Sequence, residues 1–258
     1  MGVFEDSSVT ARPQWSAARA SEVLRDRWGL AGEVEELPSE RDQNFRLVTE
    51  SRDRFVLKVS NPGEDRSILD LQDAALRHLS ADGVDHPTPD PVPAGNETIL
   101  QAEGPDGTQH FVRLMTWVAG VPLAGTRPHT DLFEPLGRFL AELDRRLASF
   151  DHPAADRAFY WDLRRGLDVA GGYAPEIEDR AGRERVGRML ARIRASEGLF
   201  ETLPRQVIHG DANDHNLIVR RGGSGPAVGL IDFGDMVSSW RVGDLAILLA
   251  YAMLDRRD

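Results

Sequence analysis

The chain has no cysteine in its 258 residues, which excludes disulfides and thiolate metal sites and suits a reducing cytoplasm. Nor does it have a long hydrophobic run. Leu245 to Leu254 is strongly apolar but spans only about ten residues, far short of the roughly 20 of a membrane helix, so it reads as a buried helix. Residues 1–20 contain Glu5, Asp6, Arg12 and Arg19 and no apolar stretch, so no signal peptide is expected. Positive charge is scarce. The 31 Lys and Arg against 42 Asp and Glu leave a net charge of -11, and a chain without a basic face is a poor match for nucleic acid. A cationic partner such as an amine is compatible with that balance. No internal repeat or low-complexity tract is present. With 41% hydrophobic residues, the chain can bury a substantial core and suits two lobes.

What is present is concentrated between residues 209 and 232. His209, Gly210 and Asp211 open an HGDANDHN segment in which Asn216 follows Asp211 by five positions. This is the spacing of a phosphoryl-transfer loop, in which the Asp meets the acceptor hydroxyl and the Asn holds Mg²⁺. Leu217 to Arg220 and Ala227 to Ile231 are β-prone runs separated by Gly222, Gly223, Ser224, Gly225 and Pro226, so a hairpin is expected. Antiparallel pairing is expected to bring Asn216 beside Asp232, pairing an amide oxygen with a carboxylate, both hard donors suited to Mg²⁺. A polar turn is the plainer explanation of such residues. It must account for the spacing, the hairpin and the DFG of Asp232 to Gly234 together. His209 reads as a hydrogen-bonded strut for the loop rather than as a base.

A phosphate-binding cation is expected nearer the N-terminus. Phe55, Leu57 and Val59 alternate with Val56 and Lys58, which puts Lys58 on the opposite face of a strand from Phe55 and Leu57. Phe45 to Thr49 and Glu33 to Leu37 supply two more strands. The connection from Pro38 to Asn44 would cover the nucleotide phosphates, yet it contains no glycine, so the G-x-G-x-x-G pattern is missing. Ser39 and Asn44 are its candidate phosphate donors, with Glu40 and Asp42 required to point away.

These residues together resemble the aminoglycoside phosphotransferase and choline kinase superfamily, small-molecule relatives of protein kinases. The resemblance runs from about Trp15 to the C-terminus and rests on HGDANDHN, on IDFGD at 231–235 and on Gly243 to Ala246. LPSERDQNF at 37–45 is similar to the hydroxylysine-kinase-like branch, which also occurs fused to pyridoxal-phosphate enzymes of the class III aminotransferase type. The resemblance implies an α+β, bilobal protein-kinase-like fold with a small antiparallel-sheet N-lobe and a mainly helical C-lobe. It implies Asp211 as catalytic base, Asn216 and Asp232 as metal ligands, Lys58 as the phosphate lysine, and Thr116 and Val118 as backbone partners of adenine. The family's lysine is usually paired with a glutamate on the next helix. Gln72 falls at the expected position, while Asp70 and Asp73 are turned about 100° or more away from it.

The expected division is an N-terminal lobe over residues 1–115, with an opening helix from Trp15 to Trp28 and a helix from Asp65 to Ser80, and a catalytic lobe over 116–258. Pro87, Pro89, Pro91 and Pro93 mark an extended connection, followed by strands near Glu97 to Gln101 and His110 to Met115. Helices are expected from Thr130 to Phe150 and from Arg180 to Glu197, the second a solvated surface. The pattern from Asp244 stops at Asp258, where relatives continue, so a truncated domain with covalently attached downstream partners is expected. Candidate acceptor contacts are Asp214, Asp235 and Arg241, with His215, Trp240, Trp161 and Asp162 behind them.

The sum is a cytoplasmic Mg²⁺-dependent kinase using ATP or GTP on the hydroxyl of an amine-bearing small molecule, with no nucleic-acid or membrane partner. An antibiotic phosphotransferase and a non-catalytic nucleotide-binding regulatory domain are the alternatives.

Overall fold

The computed structural model describes residues 12–81, 87–126, 130–222 and 225–254. The start of the segment read for a signal peptide, the Gly223 and Ser224 hairpin tip and the last four residues of the final helix pattern lie outside the described residues. The chain divides into two compact units, Met1–Gly120 with Gly229–Gly234, and Val121–Val228 with Asp235–Asp258.

In the first unit, α1 (Ala17–Trp28) starts at Ser16, whose hydroxyl accepts the Arg19 N–H, and stops at Gly29 in the left-handed conformation. Strands β1 (Gly32–Leu37), β2 (Gln43–Thr49) and β3 (Arg54–Val59) follow as an antiparallel meander. Next come α2 (Arg66–Ser80), capped by the Asp65 carboxylate, then β4 (Pro91–Val92), β5 (Leu100–Glu103) and β6 (Gln109–Thr116). The sheet runs β1-β2-β3-β6-β4, with β5 also on β6. The period of two sorts its faces. Phe45, Leu47, Leu57, Val59, Val112 and Leu114 form one core with Ala20, Val23 and Leu24 of α1. Asn44, Lys58 and Arg113 sit in register on the other face.

The second unit begins with β7 (Val121–Pro122) and α3 (Phe133–Leu147), whose stripe of Leu136, Leu140, Leu143 and Leu147 is buried. It continues with α4 (Gly166–Tyr173), α5 (Arg180–Arg194), α6 (Glu197–Phe200) and β8 (Arg205–Ile208). β9 (Leu217–Gly222) and β10 (Gly225–Leu230) follow, β10 running on into the first unit, then β11 (Val237–Trp240) and α7 (Val242–Ala252). β9 lies between β10 and β7, so the expected hairpin strands are neighbours and reach further into the glycine-rich turn than expected. β8 and β11 form a two-stranded antiparallel ribbon, Ile208 opposite Val237 and Arg205 opposite Trp240. α5 buries none of its residues and carries an Arg180–Glu184 pair at 3.0 Å, the solvated surface its composition implied.

The α+β expectation of a small antiparallel sheet followed by a mainly helical part holds. Boundaries shift where local chemistry intervenes. The helix expected from Thr130 opens as a 3₁₀ turn over Thr130–Leu132, and α3 starts at Phe133, with Pro135 in its first turn, where a missing N–H costs nothing. The strand expected at 97–101 begins at Leu100, because Ala94 and Glu97 close a tight bridge over Gly95.

Candidate active site

The HGDANDHN loop leaves the end of β8 and is fixed by side-chain acceptors at three successive amides. Asp244 on α7, fully buried, accepts the His209 N–H on Oδ2 at 2.9 Å and the Gly210 N–H on Oδ1 at 2.8 Å. His209 Nδ1 then accepts the Asp211 N–H at 3.2 Å, so His209 is a buried strut, and that nitrogen carries no proton. Gly210 has φ +82, and a Cβ there would lie 2.5 Å from the Asp235 carbonyl oxygen. Only glycine allows both that conformation and that approach. The same contact sets Asp235 beside the loop.

Asp211 is gripped at both oxygens. Asn213 Nδ2 donates to Oδ1 at 2.8 Å and Asn216 Nδ2 donates to Oδ2 at 2.7 Å, with a further bond from Asn216 to the Asp211 carbonyl at 3.0 Å. Asn213 Oδ1 in turn accepts the N–H groups of His215 and Asn216. The five-residue spacing thus closes a loop in which Asn216 spends its amide nitrogen on Asp211 and retains its amide oxygen for another partner. Asn213 was missed in the sequence because Asn in a turn has no distinctive signature.

In the first unit, Lys58 Nζ lies 3.1 Å from Asp232 Oδ1. Asp232 has φ +63, a left-handed conformation uncommon outside glycine, and Phe233 beside it is buried. The lysine is therefore paired with the DFG carboxylate. The partner expected on α2 is turned elsewhere: buried Gln72 Oε1 accepts from Arg113 Nη2 at 2.7 Å, and buried Asp73 Oδ1 from Arg113 Nη1 at 2.9 Å. The reason is the register. Arg113 is the cross-strand neighbour of Lys58, and its planar fork takes both acceptors that α2 offers.

Other sequence candidates are placed as follows. Ser39 Oγ donates to the Asp42 carbonyl, and Asp42 Oδ1 accepts the Asn61 N–H, so the loop's carboxylate at 42 is held within its own unit. Asn44 Oδ1 is buried with no hydrogen-bond partner among the described residues. Thr116 exchanges two bonds with the Asp90 backbone, through its N–H and its hydroxyl, which leaves its carbonyl as the group it can offer a base. Asp214 accepts the Ala124 N–H on its carbonyl and lines a recess of about 290 Å³ with Phe133, Leu136 and Tyr251. Arg241 lies at the far end of the β8–β11 ribbon from Asp211, its N–H on the Pro204 carbonyl. Asp162 is buried under Ser239 and caps a 3₁₀ turn, and Trp161 is exposed.

Residues 33–258 match the family described as "Phosphotransferase enzyme family". The chain belongs to this family. The phosphotransferase is similar to hydroxylysine kinase of Mus musculus, 29% identical over 280 residues that cover 98% of this chain and 73% of the relative. The Bos taurus hydroxylysine kinase is 27% identical, over 99% and 74%. Among solved structures, a microcompartment-associated aminopropanol kinase aligns with a TM-score of 0.69 at 19% identity, over 94% of this chain and 76% of that one. Amicoumacin kinase, solved in complex with AMP-PNP, Ca²⁺ and Ami, aligns with a TM-score of 0.67 at 15% identity, over 92% and 71%. The α+β kinase-like fold is thereby shown, and the chain is a phosphotransferase enzyme. Among the described residues no helix is long and apolar enough to cross a membrane.

Proposed function

We propose that this phosphotransferase moves the γ-phosphate of ATP or GTP, as its Mg²⁺ complex, to the hydroxyl of a small amine-bearing compound, an amino alcohol or hydroxy amino acid, in the cytoplasm. The observation that carries the reading is the grip on Asp211. Its two oxygens each receive one amide N–H, so the carboxylate is held in one orientation, from which it can orient an acceptor hydroxyl and take its proton. The acidic chain and the names of its hydroxylysine kinase relatives favour a cationic amino-acid acceptor.

Both proposed metal donors have the right chemistry. Asn216 directs its amide nitrogen to Asp211 and so keeps its oxygen for a cation, and Asp232 offers a half-exposed carboxylate. Bound there, Mg²⁺ would offset charge on the phosphates. Lys58 binds a phosphate oxygen, with Asp232 holding its ammonium in place. Ser39 donates to the phosphates by its backbone N–H, since its hydroxyl proton is on the Asp42 carbonyl, Asn44 by its amide nitrogen, and the Thr116 carbonyl and Val118 N–H receive the base. Gln72 acts behind Lys58 through Arg113. Asp214 and Asp235 are the proposed acceptor contacts beside the loop, with Arg241 the more remote one.

Phosphate transfer from ATP and from GTP should be measured on 5-hydroxylysine, aminopropanol, ethanolamine and kanamycin. Turnover on the small amines is expected to exceed that on kanamycin, and Asp211→Asn should lower kcat by roughly 10²–10⁴-fold with thermal unfolding unchanged. Preferred turnover on kanamycin would make the enzyme an antibiotic phosphotransferase. Nucleotide binding without transfer to any amine, or an unaffected Asp211→Asn, refutes the proposal.

A further inference from the structure

Two cations stand side by side in the sheet of the first unit. Lys58 on β3 and Arg113 on β6 are Cα partners across an antiparallel pair, one strand spacing of about 4.8 Å apart. Each has its own carboxylate. Arg113 donates from Nη1 to Asp73 Oδ1 at 2.9 Å and from Nη2 to Gln72 Oε1 at 2.7 Å, while Lys58 Nζ lies 3.1 Å from Asp232 Oδ1. The two anions differ in need. Asp73 is fully buried and its Oδ2 has no hydrogen-bond partner among the described residues, whereas the Asp232 side chain is 53% exposed and can fall back on water. A buried carboxylate with an acceptor still open has the stronger claim on a neighbouring ammonium. The Arg113 guanidinium is what meets that claim.

We propose that Arg113 is a positioning residue for phosphate transfer: by neutralising the acceptors that α2 presents, it keeps the Lys58 ammonium on Asp232 and off Asp73. The proposal rests on the reading of Lys58 as the phosphate lysine. Residue type suits the division of labour, because a guanidinium holds two acceptors at once in a fixed fork, whereas an ammonium is a point charge on a flexible stem that follows the neediest anion. Without Arg113, Asp73 draws Lys58 toward α2 and away from the phosphate it binds. Asp232 loses its cation in the same step. Arg113 thus acts by removing a competitor, so it becomes dispensable for Lys58 once the Asp73 carboxylate is gone.

Lys58 is the only lysine of the chain, so isotope-labelled lysine gives one side-chain resonance that reports which carboxylate holds the ammonium. In the native chain this resonance should shift on Asp232→Asn. In Arg113→Met it should no longer respond to added Asp232→Asn and should respond to added Asp73→Leu. KM for Mg-ATP should rise about 10-fold or more in Arg113→Met with kcat less affected, and return to within about threefold of native in Arg113→Met with Asp73→Leu. Support of α2 alone would not restore KM in a double variant that still lacks the fork. A resonance that stays tied to Asp232 in Arg113→Met, or a KM that stays high in the double variant, overturns the proposal. If Arg113→Met fails to fold, Gln72→Glu decides, since it keeps the fork and adds a second buried carboxylate. The Lys58 resonance should then lose its response to Asp232→Asn, and an unchanged response overturns the proposal. A resonance that changes partner while KM stays native refutes instead the reading of Lys58 as the phosphate lysine, and the positioning role falls with it.

Discussion

At the scale of single residues, the site depends on amides placed around one carboxylate. Asn213 has two jobs: its nitrogen donates to Asp211, and its oxygen closes the turn on the N–H groups of His215 and Asn216. Asn213→Asp keeps the second job and replaces the donor with a repelling oxygen, whereas Asn213→Ala loses both. A hydrogen bond to a charged group contributes about 1.5–3 kcal/mol, so Asn213→Ala should lower kcat roughly 10- to 100-fold with KM for nucleotide nearly constant. Asn213→Asp should be impaired at least as much while unfolding at a temperature closer to that of the native chain. Steady-state kinetics and thermal melts of the two variants check this, and equal kcat in Asn213→Asp and the native enzyme would show that the donor is dispensable. The spacing of Asp211 and Asn216 was legible in sequence because both lie on one short loop. The role of Asn213 was not, since donor and acceptor geometry, rather than residue type, distinguishes it from an ordinary turn asparagine.

At the scale of elements, β3 and α2 were legible almost to the residue, because an alternating strand and a capped amphipathic helix announce themselves by period. The β8–β11 ribbon, α4 and α6 were not anticipated, since each is short and owes its form to what it packs against. The same limit hid the partner of Lys58. Position along α2 pointed to Gln72, but Arg113 on the adjacent strand competes for it and for Asp73. That buried trio has an energetic signature. Arg113→Met leaves the Asp73 carboxylate buried without its cation, a loss of about 3–5 kcal/mol. Adding Asp73→Leu removes the stranded charge, so the double variant should recover most of the stability. Chemical denaturation of the single and double variants measures this, and a double variant as unstable as Arg113→Met would mean that the trio is not the source.

At the scale of the whole molecule, the net charge of -11 means that buried carboxylates bear on stability as well as chemistry. Asp144 at about 7 and Asp244 at about 6 both stand above the ordinary value of 3.8. In the folded chain they hold protons that the unfolded chain has already released, so their contribution to stability is fully present below about 3.8 and is lost as pH rises through 6 and then 7. Glu142, lowered to about 2 by its bonds to Arg145 and Arg146, acts in the opposite sense only below its ordinary value of 4.5, and its exposure keeps that contribution small. The melting temperature should therefore be higher near pH 5.5 than near pH 8, contrary to the trend of a protein held by surface ion pairs. Asp144→Asn cannot ionise, so it should melt with a shallower fall over the same range and be the more stable of the two at the alkaline end. Scanning calorimetry of both proteins at matched ionic strength gives the slopes directly. Parallel curves would mean that Asp144 ionises in the folded chain as freely as in water.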